Sequence, residues 1–171
     1  MMLTRFGYLR IMACLAVVFA AVSARALAPS ATPSMPARQA TAGDAAIPAK
    51  ALLQPKELEQ LLRSSGAEKP LILQVGSRVL YAEAHIPGSH YAGAAGDQAG
   101  LQALQDRVRA LKRNSFLVIY CGCCPWNMCP NIRPAYRKLR ALGFTNLKVL
   151  YLADNFGADW VDKGYPVVRG Q

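Results

Sequence analysis

Four of the five cysteines in this 171-residue chain fall within nine positions, in a segment that reads Cys121-Gly122-Cys123-Cys124-Pro125-Trp126-Asn127-Met128-Cys129-Pro130-Asn131. Thiols set this densely serve a few distinct chemistries. One ionised thiol is a nucleophile toward sulfur or phosphorus. A pair exchanges disulfides, and Cys121 and Cys124 have the Cys-x-x-Cys spacing for it. Four thiolates together form the donor set of zinc or an iron–sulfur centre, with Cys121, Cys123, Cys124 and Cys129 as the ligands. Against that stands the adjacency of Cys123 and Cys124, which departs from the paired Cys-x2-Cys of common structural zinc sites. A structural disulfide through Cys129 is the plainest use.

The neighbouring elements decide which thiol is activated. Phe116-Leu117-Val118-Ile119-Tyr120 is uniformly apolar and rich in strand formers, and Cys121 follows it directly. Asn131 is a suitable helix N-cap and Pro134 suits a first turn. Tyr136, Leu139 and Leu142 then share a helical stripe that ends at Gly143, a left-handed C-cap. A thiol between a strand end and a helix start faces unpaired N–H groups and the positive end of a dipole, both of which favour the thiolate. On this reading Cys121 is the catalytic nucleophile. Gly122 lets the backbone approach a substrate, and Arg133 contacts an anion that the same N–H groups can hold. His85, before Ile86-Pro87, reads as a turn or packing residue rather than a base. Trp126 and Met128 read as packing, and Asp154 and Asp159 as solvated acids.

The rest of the chain supplies a frame. Pro55–Leu62 carries apolar residues at helical spacing, Leu71–Val75 is a short buried strand ended by Gly76, and Pro87-Gly88 closes a turn. Leu101, Leu104, Val108 and Leu111 mark one helix face, Leu147–Tyr151 another strand, and Asn155–Asp162 a short helix. Strands alternating with helices predict an α/β fold, a parallel sheet with helices on both faces, in which ligands gather beyond the carboxyl ends of the strands. Cys121 stands at such an end.

The amino terminus reads as an address. Arg5 and Arg10 precede the apolar run Ile11–Ser23, and Ala26-Leu27-Ala28 offers a small-x-small cleavage site, the pattern of a signal peptide over residues 1–28. Cys14 opens that run rather than following it, which argues against lipidation. Pro29–Lys50, with four prolines among Ala, Ser and Thr, reads as a linker, and residues 51–171 as one domain. The expected location is periplasmic or secreted, with no membrane attachment after cleavage. The chain carries 20 Lys and Arg against 10 Asp and Glu. Basic residues are scattered, with no aromatic-interleaved basic tract, so no nucleic-acid partner is expected.

Several ordered pieces resemble the rhodanese-like family over roughly residues 52–168. Gln54-Pro55-Lys56-Glu57-Leu58 is similar to the family's opening helix. Leu71–Val75 with His85-Ile86-Pro87-Gly88-Ser89 is similar to its Asp-Val-Arg strand and Gly-His-Ile-Pro-Gly-Ala turn, although Gln74 and Gly76 stand in place of the charged pair and Ala84 in place of the Gly. Val118-Ile119-Tyr120-Cys121 is similar to the strand bearing the active cysteine, and Leu139–Phe144 and Gly164–Val167 to the closing segments. The segment after Cys121 is several residues longer than usual and adds three cysteines. The resemblance implies a sulfurtransferase with no cofactor. Cys121 would take a persulfide from a small anionic sulfur donor, such as thiosulfate, and pass it to a thiol acceptor.

Overall fold

Residues 46–66 and 68–170 are described by the computed structural model; the expected signal peptide and the expected linker up to residue 45 lie outside the described residues. Five strands, β1 (Leu52–Leu53), β2 (Leu71–Gln74), β3 (His90–Tyr91), β4 (Leu117–Tyr120) and β5 (Leu147–Leu150), form one sheet in the order β1-β5-β4-β2-β3. Every neighbouring pair is parallel. Leu117 of the central β4 lies in register with Leu71 on one side and Leu147 on the other.

The helices are α1 (Pro55–Arg63), α2 (Arg78–Glu83), α3 (Gln98–Val108) and α4 (Ile132–Ala141). Helix α1 begins where Pro55 needs no N–H partner, and Gln54 and Glu57 close a reciprocal capping box. Helix α4 ends as expected: the N–H groups of Gly143 and Phe144 donate to Arg140 and Leu139 oxygens at 3.0 and 3.1 Å, with Gly143 at φ +89°.

Alternation along β4 divides the interior. Leu117 and Ile119 pack with Leu104 and Val108 of α3 and Ala135 and Leu139 of α4. Val118 and Tyr120 face the other way, onto Leu58 of α1 and onto Phe156 and Trp160. The sheet is thus covered on both faces, as a parallel sheet requires. Burial holds the Tyr120 hydroxyl's pKa well above its usual range, and it meets Ser89 Oγ at 3.2 Å while accepting from the Ile86 N–H at 3.3 Å. The Pro-Gly turn is therefore tied to the central strand.

Three elements were not anticipated from sequence: β1 and β3, each of two residues, and the short α2, capped by Ser77. The expected helix at Asn155–Asp162 is a π-helical turn, Gly157–Val161. Asp159, expected to be merely solvated, accepts from the Asp154 and Asn155 N–H groups at 2.7 and 3.1 Å and so fixes the entry to that turn. Folded structure also starts before Ala51. Ile47 packs on the core and a 3-10 turn, Ala49–Ala51, precedes β1.

Candidate functional site: a four-cysteine loop

Cys121 continues the parity of Leu117 and Ile119, so its side chain joins the α3–α4 side of the sheet and is 5% exposed. The base of the loop is fixed from β2. The buried amide of Gln74 donates to the Cys121 and Ser77 oxygens at 3.3 and 3.4 Å and accepts from the Gly76 N–H at 3.1 Å. Gly76 gives the sulfur its space, since a Cβ there would lie 2.7 Å from Cys121 Sγ. Gly122 has φ +74°, and a Cβ on it would sit 2.6 Å from that of Phe156. Its carbonyl accepts from the Phe156 N–H at 3.0 Å. Gly122, expected to let the backbone approach a substrate, packs closely on Phe156 and also lines the groove outside the loop.

From there the chain passes through a 3-10 turn, Trp126–Met128, and returns at Cys129, two residues before the N-cap of α4. The sulfurs of Cys121, Cys123 and Cys129 all lie within 4.8 Å of one another. Cys121 and Cys123 sulfurs are 3.1 Å apart, and those of Cys123 and Cys124 3.2 Å. The four cysteines of the loop are free thiols.

The electrostatics differ from the expectation that centred the thiolate on Cys121. Cys129 is the sulfur held down, to about 5, first because the Cys121 thiol donates to it and then because the Asn131 and Ile132 N–H groups at the start of α4 do so; burial opposes them. Cys121 is pushed far above the usual thiol range by donating to Cys129 and by burial. Cys124 is pushed up to about 12 by burial and by its contact with Cys123. Of the two thiols, Cys129 is thus the more acidic and Cys121 the less. The physical reason is distance along the chain: the insertion carries the helix start ten residues beyond Cys121 and leaves Cys129 two residues before its N-cap.

Asn131 occupies the N-cap position but makes no capping hydrogen bond. Its Oδ1 accepts from the Gly96 N–H at 2.7 Å, and its Nδ2 points to Cys121 Sγ at 3.3 Å and Cys123 Sγ at 3.6 Å. It therefore ties the loop before α3 to the sulfur cluster. The guanidinium of Arg133 lies over the Trp126 ring, 5.9 Å from its centroid, and donates to the Trp126 carbonyl at 3.4 Å. Trp126 in turn packs on Tyr151, whereas Met128 is 72% exposed. His85 is buried, stacked on Tyr81 and bonded to its carbonyl at 2.7 Å, which is a packing role. Sequence reasoning did not single out Gln74 and Asn131 as supports of the site. Counting back from the helix start would have favoured Cys129.

The match to a rhodanese-like domain spans residues 54–153, more than half of the chain. No curated protein matches it. Among solved structures, the chain is similar to the rhodanese-like domain of the Alr3790 protein from Anabaena sp., with 22% identity and a TM-score of 0.52 over 70% of this chain and 79% of that one. It is also similar to the BH2092 protein from Bacillus halodurans, with 20% identity and a TM-score of 0.53 over 68% and 75% of the two chains. These likenesses concern the fold. With its parallel sheet, and with a cysteine at the end of the central strand, the chain belongs to the rhodanese-like domain family.

Proposed function

We propose that the protein moves sulfane sulfur, with the Cys129 thiolate as the attacking group and Cys121 as its hydrogen-bond donor. The observation that carries this reading is the place of Cys129, two residues before the N-cap of α4 and with its sulfur within 4.8 Å of those of Cys121 and Cys123; these surroundings lower its pKa to about 5. The thiolate forms a bond to the outer sulfur of a donor, the donor's S–S bond breaks, and the leaving group departs with the electron pair. A thiol acceptor, as its thiolate, then takes the outer sulfur and regenerates the Cys129 thiolate. The same donors that hold a thiolate also hold a persulfide anion.

The test is to treat reduced protein with a sulfane donor, alkylate it, and map the added sulfur after cleavage at Tyr120 and Trp126, which separates Cys121 from Cys129. One added sulfur on Cys129, lost in Cys129→Ser, is the expected result. Sulfur on Cys121 would return the nucleophile to the strand end. No added sulfur on any cysteine of a folded protein would end the reading.

A second reading is favoured by the Cys121, Cys123 and Cys129 trio. A zinc ion bonded at about 2.3 Å to tetrahedral thiolates spaces its sulfurs about 3.8 Å apart. The trio, within 4.8 Å, has that scale, and Cys124 stands beside Cys123 as a fourth donor. An iron–sulfur cluster would have to force these sulfurs apart. Stoichiometric metal in protein purified without added ions would support this reading.

A further inference from the structure

An open groove of about 440 Å³ runs past the outer side of the cysteine loop. Leu80 and Glu83 of α2, Cys123 and Cys124, and Phe156 and Val161 are among its walls. Cys124 and Gly122 also line the small pocket walled by Cys121 and Cys129, so they form the wall that the groove shares with the inner sulfurs. Leu80 is 39% exposed and its neighbour Val79 68%, which leaves the α2 rim apolar.

The charge in this groove is opposite to that of the chain as a whole. Lys and Arg outnumber Asp and Glu two to one, yet among the described residues the one charged side chain lining the groove is Glu83. Two cations on neighbouring elements are turned elsewhere. Arg78 lies over the Tyr91 ring at 5.0 Å, and Arg133 over Trp126. A dianion such as thiosulfate would shed water into a partly apolar groove and meet a carboxylate without a counter-cation, which is unfavourable on both counts. An apolar substituent would find Leu80, Phe156 and Val161. The volume suits a small organic molecule.

We infer that the sulfur donor is an organic persulfide, R–S–SH, carrying an apolar, uncharged R group, rather than an inorganic sulfur oxyanion. The inference rests on the sulfur-transfer reading above. In the step, the cysteine thiolate bonds to the outer sulfur of R–S–SH and the donor's S–S bond breaks. The protein keeps a persulfide anion, and the thiol R–SH leaves with the donor's proton. Nothing is oxidised or reduced overall, and no further reactant is needed.

A matched pair of donors isolates the charge from the reactivity of the S–S bond. Benzyl persulfide and 4-carboxybenzyl persulfide present the same reacting bond, and thiosulfate is the inorganic arm. With the full chain, we expect kcat/KM for benzyl persulfide to exceed that for the carboxylated donor by about tenfold or more. Glu83 is exposed, so Glu83→Lys is compatible with the fold; it should narrow that ratio to about threefold and raise thiosulfate use about tenfold. Equal use of the two persulfides by the parent, better use of thiosulfate, or an unchanged ratio in Glu83→Lys would each overturn the inference while sulfur transfer stands. Sulfur accepted from none of the three donors would bring down the transfer reading and this inference with it.

Discussion

Replacing Cys121 by Ala removes the largest of the influences that hold Cys129 ionised. The remaining donors are the Asn131 and Ile132 N–H groups, while burial continues to work against the charge. A hydrogen bond to a charged group contributes about 1.5–3 kcal/mol, and each 1.36 kcal/mol moves a titration midpoint by about one pH unit. The Cys129 midpoint, about 5 in the parent, should therefore rise to between about 6 and 7. Ultraviolet absorbance of the thiolate, followed against pH in reduced, metal-free protein, reads this directly. The midpoint is the quantity to compare, because a thiolate of higher pKa is also the stronger nucleophile and rates at one pH would mask the change. Cys121→Ser, which keeps an O–H donor, should lie between the parent and Cys121→Ala. A parent protein whose first thiol titrates near the ordinary value of about 8.5 would refute the reasoning. So would a midpoint that stays in place in Cys121→Ala.

The same thiolate gives stability a pH dependence. Its pKa in the folded chain lies below its unfolded value, so from about pH 5 upward toward the ordinary thiol range the unfolded chain binds more protons, and stability rises with pH by at most about 1.4 kcal/mol per unit. It is lost again as pH falls through about 5; thermal melts from pH 5 to 8 should show a smaller rise in Cys129→Ser than in the parent. Gly122→Ala places a Cβ against Phe156 at positive φ and should cost about 2–5 kcal/mol in urea unfolding; an unchanged midpoint would show that the loop relaxes freely. Asn131→Leu leaves the Gly96 N–H without its partner and removes the amide beside Cys121, for an expected loss of about 1–3 kcal/mol by the same measurement. Mass spectrometry of the full chain expressed in a secretion-competent cell should find a mature chain beginning at Pro29, and one retaining Met1 would contradict the sequence reading of the leader.

What the sequence disclosed follows from how local each signal is. Phe116–Tyr120 announces β4 because both faces of the central parallel strand are buried, so apolarity is continuous, and Leu147–Tyr151 announces β5 with the single interruption of the half-buried Lys148. The stripes through Leu104 and Leu139 announce α3 and α4 for the analogous reason. β1 and β3 were not legible, since two residues carry no period and each exists only as a partner to β5 or β2. The cysteine cluster was visible as composition, but its charge distribution was not. That depends on where α4 begins relative to Cys129, and on Asn131 turning its side chain away from capping toward Gly96 and the sulfurs. Gln74 stands where the family's strand motif carries a charge, so the motif does not announce it; its role exists only once β2 lies beside the end of β4.

Position in the sheet also sets a rhythm for the site. Strand β4 has β2 on one side and β5 on the other, so the amides of Val118, Ile119 and Tyr120 belong to the last part of the molecule to open, and their protons should exchange with deuterium on the timescale of global unfolding. Cys123 and Cys124, on the partly exposed loop a few bonds away, lie outside that ladder and should exchange orders of magnitude sooner. A slow anchor beneath a fast rim leaves the outer loop free to rearrange while Cys121 and Cys129 keep their alignment.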